Sequence, residues 1–282
     1  MENKQDKYSA VWVSHSSIND FLKCPRAYFL RNMYKNPRGR KINVVSPALS
    51  LGIAVHDTLE GLIKYKAEER GLQPLEAQFE ENWKKVSGKQ GGFKTEAEEA
   101  EAKARGLKMI QRVAGNLGPL LKKAVKLKEH ANNMPPNFYL SEKENIILSG
   151  KIDWLQYVAE DDSVVILDFK TGKNDEDQDS LQLPIYALLL NALQKRKVSG
   201  AAYWYIDRND APTQVSLPDI ASAQNRVLAA AMKVKGARER GIFECPRGPQ
   251  GCFACRPFEK ILKGEVELVK TDETRKTELY MV

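Results

Sequence analysis

The spacing of apolar residues changes near Pro135 and Pro136, and this change divides the chain into regions of different predicted structure. In the N-terminal region, apolar residues recur every three or four positions, which predicts amphipathic helices. Between the first two helices, residues 36–47 are predicted to form a basic loop. The predicted helices cover 14–34 with a break or kink at Pro25, 48–69, 75–86, and 95 to about 129 with interruptions near Gly115 and Gly118.

After the two prolines, short apolar or alternating runs predict β-strands, and longer periodic runs predict helices. This mixture indicates an α/β fold. We expect an N-terminal helical region at 1–137, an α/β core at 138–217, and a C-terminal helix with a cysteine-rich lobe at 218–282, which together form one integrated unit. The predicted strands are 138–148, 150–158, 163–170, 201–206 and 213–217, and the predicted helices are 181–195 and 219–240.

The composition is that of a folded chain. Hydrophobic residues make up 42% of the 282 positions and charged residues 29%, which suits one large domain or two small ones and argues against a mainly disordered chain. No run approaches the roughly 20 apolar residues that a membrane-spanning helix needs, and the N-terminal residues lack the apolar stretch of a secretory signal. We therefore expect a cytoplasmic protein that does not interact with membranes.

The charge distribution points to a polyanionic partner. Lysine and arginine number 44 against 37 acidic residues, a net charge of +7 that ordinary globular proteins also reach. Residues 23–41 contain no acid, and their basic groups are interspersed with Tyr28, Phe29 and Tyr34, as contacts to a phosphate backbone and to bases require. A solvated helix end and loop explains the same pattern equally well. The basic residues are Lys23, Arg26, Arg31, Lys35, Arg38, Arg40 and Lys41.

The four cysteines are unevenly placed. Cys245, Cys252 and Cys255 lie within eleven residues that are rich in glycine and proline, whereas Cys24 stands alone near the N-terminus. Three thiols in such a loop are typical of a metal site, and Cys24 is the only thiol left to complete it. Three cysteines with a histidine, or a Cys24 that is simply buried, are the alternatives. The spacing does not distinguish zinc from an iron–sulfur cluster.

Two aspartates are expected to face each other in the core. If residues 159–162 form a hairpin loop, the antiparallel register places Asp153 opposite Asp168, about 5 Å away on the same side of the sheet. Two carboxylates so close repel each other unless a cation or a proton lies between them. Lys170, two residues after Asp168, shares that side. A divalent metal with a lysine beside it fits this arrangement, and an internal salt bridge of Lys170 with both acids is the alternative.

Three further polar residues are candidates for the same site. Gln182 and Tyr186 are four residues apart at the start of a predicted helix, so that they share one face. His56 is a lone histidine in a mostly apolar helix, where such a residue is more often a satisfied core residue than a ligand.

Four short motifs resemble a known family in their order along the chain. They are Gly52-Ile-Ala-Val-His56, Gly150-Lys-Ile-Asp153, Asp168-Phe-Lys170 and Gln182-Leu-Pro-Ile-Tyr186. Together they resemble the RecB-like branch of the PD-(D/E)XK nucleases. Cys24-Pro-Arg26 and the three C-terminal cysteines resemble the members that carry an iron–sulfur staple, among them the CRISPR spacer-acquisition exonucleases and the nuclease domains of recombination helicase–nucleases. The resemblance extends from about Ser14 to Phe258, with Phe169 where tyrosine is common and a cysteine spacing that is one of several in the family.

The resemblance implies a restriction-endonuclease-like core, with a mixed central sheet flanked by helices. It implies that His56, Asp153, Asp168 and the carbonyl of Phe169 hold Mg²⁺ or Mn²⁺, and that Lys170 positions or deprotonates the attacking water. Gln182 and Tyr186 would orient Lys170 or contact DNA. Glu142 is either a further acid of the site or an exposed strand residue, with equal weight. The four cysteines would bind a [4Fe–4S] cluster.

The implied function is that of a metal-dependent deoxyribonuclease, specifically an exonuclease in recombination, repair or CRISPR adaptation. Its substrate would be single-stranded DNA or duplex ends, and its protein partners would belong to a recombination or CRISPR-adaptation complex. The chain has no Gly-x-x-x-x-Gly-Lys-Ser/Thr loop, so we expect no ATP site. The competing hypothesis is a non-catalytic nucleic-acid-binding module stabilised by the cysteine-bound metal.

Overall fold

The computed structural model describes residues 9–127 and 134–282. The helices are α1 His15–Lys23, α2 Pro25–Tyr28, α3 Pro47–Gly61, α4 Ala67–Arg70, α5 Leu75–Lys84, α6 Glu96–Gly115, α7 Gln182–Leu193, α8 Ile220–Arg240 and α9 Arg256–Leu262. The strands are β1 Val11–Val13, β2 Lys41–Val45, β3 Asn137–Ser141, β4 Ile146–Ser149, β5 Trp154–Val158, β6 Ser163–Lys170, β7 Val198–Tyr205, β8 Thr213–Val215, β9 Glu267–Asp272 and β10 Thr277–Met281.

The central sheet has four strands in the order β5-β6-β7-β8. β5 runs antiparallel to β6, and β8 runs antiparallel to β7. β6 and β7 are parallel, and α7 lies in the connection between them. The predicted hairpin register is confirmed, because Val158 pairs with Ser163 and Trp154 with Leu167. One residue beyond the last pair, Asp153 therefore stands opposite Asp168.

Two apolar clusters cover the two sides of this sheet. On one side, Ile166 packs with residues of α1, α7 and α8, and on the other, Leu167 and Phe169 pack with residues of α3, α5 and α6. Since side chains alternate along a strand, Asp168 and Lys170 lie on the same side as Ile166, facing α7. The sheet is thus buried on both sides, and β6 carries its two charged residues at its buried end. The described part of the chain includes no helix with the length and apolar character to cross a membrane.

Two small sheets differ from the sequence prediction. The predicted basic loop 36–47 contains β2, which pairs in parallel with β10, while β9 completes that sheet. The predicted strand 138–148 is a hairpin of β3 and β4, with β1 parallel to β4. The turn between β3 and β4 needs a positive φ, which Asn145 adopts at 50°. Each missed strand is short and is held by a partner that is distant in sequence or lies across a tight turn.

The helical region departs from its predicted limits in three helices. The predicted helix 48–69 is divided into α3, which ends at Gly61, a 3-10 turn at Leu62–Lys64, and α4. The break predicted at Pro25 in the helix 14–34 is confirmed, since α1 ends at Lys23 and α2 begins at Pro25, but the end of this helix is a π-helical turn at Phe29–Met33. α6 ends at Gly115, the first of its predicted interruptions, and is followed by a 3-10 turn at Gly118–Leu121. The predicted end of this helix near Glu129 lies outside the described residues.

Candidate active site and cysteine cluster

Asp153 and Asp168 meet at the end of the central sheet. Asp153 precedes β5, and its Oδ2 accepts a hydrogen bond of 2.9 Å from the backbone N–H of Phe169, which fixes the carboxylate across the hairpin. Both side chains are buried, with 13% and 3% of their surface exposed. Burial, together with the negative charge of Asp168, raises the pKa of Asp153 to about 7. A cation bound beside Asp153 and Asp168 would offset the free-energy cost of keeping both carboxylates ionised.

The Asp168 carboxylate is held on one oxygen and open on the other. Oδ1 accepts hydrogen bonds from Gln182 Nε2 at 2.9 Å and from the Tyr186 hydroxyl at 3.1 Å. Oδ2 lies 2.9 Å from Lys170 Nζ in an ion pair, but within the described residues it accepts no well-aligned hydrogen bond. A buried carboxylate oxygen with an unused lone pair is a suitable ligand for a metal ion.

Lys170 lies between two acids. Its ammonium is 2.9 Å from Asp168 Oδ2 and 2.7 Å from Glu176 Oε2, and it donates a hydrogen bond to Gln182 Oε1. The ammonium also lies 4.8 Å from the ring centre of Tyr203. Burial opposes the charged form, but the two carboxylates outweigh it and raise the pKa of Lys170 above its usual value. The alternative predicted salt bridge, to both hairpin aspartates, is replaced by one to Asp168 and Glu176.

His56 faces carboxylates. Its Nδ1 lies 3.4 Å from Asp153 Oδ2 and 3.4 Å from Glu60 Oε1, one turn further along α3. Burial lowers the pKa of His56, but the two acids outweigh this effect and the pKa lies above its usual value. α3 reaches this position because Gly52 allows it to approach the end of β6: a Cβ on Gly52 would lie 3.3 Å from Thr171 Oγ1.

The donor set fits a divalent metal ion. His56, Glu60 and Asp153 each offer a ligand atom, and these three atoms lie within 4.8 Å of one another. Within the described residues, Asp168 is not part of that close group, although the strand register places it opposite Asp153. Carboxylates with one imidazole are hard ligands, which suit Mg²⁺ and, with the nitrogen donor, Mn²⁺.

The four cysteines form a second group. Although Cys24 and the other three are distant in sequence, their sulfur atoms lie within 4.8 Å of one another, so the predicted convergence is confirmed. No histidine of the described residues joins this group, which rules out a three-cysteine, one-histidine set there. Hydrogen bonds reach two sulfurs, from the Ala27 N–H to Cys24 at 3.4 Å and from the Cys252 N–H to Cys255 at 3.1 Å.

The protonation of the thiols is consistent with a metal site. Burial opposes a thiolate at Cys252, but N–H groups of Cys255 and Ala254 outweigh it and lower its pKa to about 7. Burial raises the pKa of Cys24 to about 12. A metal ion stabilises thiolates at all four positions, since metal binding displaces the thiol protons. Four sulfur ligands suit zinc or an iron–sulfur cluster.

A comparison with family models matches residues 12–257 to the PD-(D/E)XK nuclease superfamily. The chain belongs to the PD-(D/E)XK nuclease superfamily. The matched region runs from β1 into α9, so it includes both aspartates, Lys170 and all four cysteines. A search of curated proteins finds no match. Members of this superfamily are nucleases that use divalent metals, and DNA is their substrate. The group of carboxylates and histidine at the end of the central sheet is therefore of the kind that such nucleases need.

Three charged residues around the site were not predicted from the sequence. Glu60 was missed although its position four residues after His56 places both on one helix face. Glu176 belongs to an acidic patch at 175–179, and no feature of the sequence indicates that it contacts Lys170. Lys151 forms an ion pair with Glu60 and is largely exposed. Glu142 lies in the exposed β3–β4 turn, and the described contacts do not connect it with either aspartate.

The basic segment 23–41 is more neutralised than its sequence indicates. Arg38 and Arg40 pair with the fully buried Glu278, and Arg40 also binds Glu273. Of the aromatic residues, Tyr28 is buried in the core, and Phe29 and Tyr34 are partly buried against a small apolar cluster. Elsewhere in the segment, Arg26 pairs with Glu259 and Arg31 with Asp20. The arginines of the segment therefore carry less free positive charge than the sequence indicates, and their contact with nucleic acid stays a prediction.

Proposed function

We propose that this protein is a Mg²⁺- or Mn²⁺-dependent deoxyribonuclease that acts as an exonuclease. The observation that carries the proposal is the buried pair Asp153 and Asp168, with an open oxygen on Asp168 and with Lys170 in contact. Burial of two carboxylates that face each other is unfavourable for a protein that only binds DNA, because their repulsion, seen in the raised pKa of Asp153, destabilises the fold without a ligand. A metal ion bound by both carboxylates would offset their repulsion, and the pair would then serve as metal ligands.

Each residue has a role in this proposal. His56, Asp153, Asp168 and the carbonyl of Phe169 would hold the metal, and Glu60 joins them. The metal would supply Lewis acidity toward a phosphodiester oxygen and lower the pKa of a bound water. Lys170, kept protonated by Asp168 and Glu176, stabilises negative charge on the phosphate. Gln182 and Tyr186 hold the Asp168 carboxylate, and Gln182 also orients the Lys170 ammonium.

The cysteine group has a structural role in the proposal. Cys24, Cys245, Cys252 and Cys255 would bind one [4Fe–4S] cluster that ties the N-terminal helices to the C-terminal lobe. The motif order supports a RecB-like branch, and with it a place in recombination, repair or CRISPR adaptation alongside protein partners of those processes.

Cleavage should depend on added metal. Purified protein is expected to degrade end-labelled DNA with Mn²⁺ or Mg²⁺ and to leave it intact in excess EDTA, because the two aspartates need a cation to bind the phosphate. Internally labelled circular DNA is the control for the exonuclease assignment, since it offers no end. DNA binding without cleavage in either metal would support the non-catalytic module instead.

Glu60 is expected to contribute to metal affinity. We expect Glu60→Gln to weaken Mn²⁺ binding about 10- to 100-fold, because it removes one anionic ligand from the group formed with His56 and Asp153. Titration calorimetry with Mn²⁺ measures this directly, without DNA. Lys151→Gln is the matched control: it removes the ion-pair partner of Glu60 but leaves the carboxylate, so Mn²⁺ affinity should be unchanged or higher. Equal affinity of Glu60→Gln and wild type would exclude Glu60 as a ligand.

A further inference from the structure

A cleft of about 460 Å³ opens beside α1. Its basic side chains are Lys35, Lys41 at the start of β2, and Arg238 near the end of α8. None of the lining residues in the described ranges is acidic. Hydroxyl and amide groups of Ser14, Ser17, Asn32 and Ser149 complete its polar lining, and we refer to it as the basic cleft.

The cations of the basic cleft differ from the other basic residues nearby. Arg38 and Arg40 are paired with acids of β10 and the preceding turn. For Lys35, Lys41 and Arg238, in contrast, the described residues provide no carboxylate at ion-pair distance. Lys35 and Lys41 are also exposed. Three unneutralised positive charges around one concave surface produce a local potential that attracts an anion.

Two lining residues of the basic cleft are close in sequence to residues at or near the candidate active site. Ser14 immediately precedes His15, whose pKa is lowered by burial and is also influenced by the charges of Glu176, Lys170 and Asp168. Ser149 comes four residues before Asp153, a distance that an extended chain spans in at most about 14 Å. The Ser149 hydroxyl donates a hydrogen bond of 3.3 Å to the carbonyl of Val13, which connects the end of β4 to the residue before Ser14. Ser149 in the lining of the basic cleft thus lies no more than about 14 Å from Asp153, a distance that two or three nucleotides of an extended strand span.

We propose that the basic cleft binds the sugar–phosphate backbone of the DNA strand whose bond is hydrolysed at Asp153 and Asp168. The proposal rests on the proposed nuclease function and adds the path of the substrate. The chemistry is that of phosphate recognition: the ammonium groups of Lys35 and Lys41 and the guanidinium of Arg238 replace condensed counterions along the phosphate backbone. The cleft has the volume of a small-ligand site, so it holds a short stretch of one strand rather than a duplex.

The test compares two double variants that remove the same charge. Lys35→Gln with Lys41→Gln changes the basic cleft, whereas Arg238 is retained because it also hydrogen-bonds Tyr28. Lys195→Gln with Lys197→Gln is the control. These two lysines are exposed and line another cleft without acids. That cleft lies beyond Leu193, the C-terminal end of α7, whereas the candidate active site lies at the N-terminal end, at Gln182. α7 has 12 residues, a length of about 18 Å.

Affinity for a fluorescent single-stranded oligonucleotide is measured by anisotropy in EDTA, from about 50 to about 300 mM KCl. For the basic-cleft variant, we expect the slope of log K against log salt to fall by about 1.4 and affinity near 0.1 M salt to drop about 25-fold, since two phosphate contacts are lost. The control variant should remain close to wild type. Both variants should keep the wild-type melting temperature, because all four lysines are exposed.

Three outcomes separate the two proposals. Equal losses in both variants would mean that only overall charge matters, and would overturn the basic cleft as a site. Wild-type affinity and slope in the basic-cleft variant, with metal-dependent cleavage intact, would overturn the cleft and leave the nuclease standing. The expected loss in the basic-cleft variant, in a protein that cleaves no DNA with either metal, would support the cleft and refute the nuclease function.

Discussion

Replacing Asp168 with alanine is expected to lower the rate of metal-dependent DNA cleavage at least about a hundredfold, the scale of losing one preorganised electrostatic contact. The substitution removes the open Oδ2 and also the acceptor that holds Gln182 and Tyr186. Asp153→Ala and Lys170→Ala should each cause a loss of similar size. Initial rates with Mn²⁺ on end-labelled DNA measure all three.

Folding and catalysis are separated by two controls. The melting temperatures of the two aspartate variants should remain near wild type, because removal of one of two facing carboxylates relieves repulsion in the metal-free protein, whereas Lys170→Ala should melt lower because it leaves Asp168 and Glu176 without their cation. Asp177→Ala changes an exposed acid of the neighbouring patch that has no contact with Lys170 among the described residues, and it should cleave normally. If Asp168→Ala cleaves DNA at nearly the wild-type rate in a correctly folded protein, the assignment of the active site is wrong.

The proposed [4Fe–4S] cluster would colour the anaerobically purified protein brown, and replacing Cys24 with alanine is expected to remove that colour, lower the melting temperature and reduce activity. Linkage of Cys24 to the C-terminal cysteines closes a loop of roughly 220 residues, which removes about 5 kcal/mol of chain entropy from the unfolded state. That is comparable to the net stability of a small domain. Cys24 has no described contact with Asp153 or Asp168, so the loss of activity would be transmitted by the fold.

A neighbouring ion pair supplies the matched control. Arg26→Gln breaks the 2.7 Å contact of Arg26 with Glu259, which connects the same two segments, but leaves the four thiols in place. This variant should keep its colour and nearly all of its stability, because a partly exposed ion pair contributes little. Iron, sulfide and zinc analysis identifies the metal. One zinc and no labile sulfide per chain would refute the iron–sulfur cluster but would leave the structural role of the metal intact.

The local parts of the fold and of the site could be predicted from the sequence. β6 coincides with its predicted limits of 163–170, because an uninterrupted apolar run between a turn and a polar segment has few other structures available. The loop length then determines the register, and the register determines that Asp153 faces Asp168. The convergence of four cysteines followed from their chemistry, since three thiols in one loop need a fourth ligand.

Interactions between distant residues could not be predicted in the same way. β2 is only five residues long and has little periodicity, and its pairing with β10 is determined by segments at opposite ends of the chain. The neutralisation of Arg38 and Arg40 by Glu278 depends on this pairing, so the sequence overstated the free positive charge of the segment. Glu176 likewise reaches Lys170 only through the path of the loop after β6.

The parallel pairing of β2 with β10 has a consequence for the order of events during synthesis. Arg40 and Glu278, which it brings together, are 238 residues apart. At about 5–20 residues per second, a ribosome needs roughly 10–50 s between the two. During that interval the β2 segment lacks its strand partner, and the guanidinium of Arg40 lacks its buried acid. This edge of the protein is thus assembled only after the central sheet has been translated, and β2 stays an unpaired strand while the chain grows.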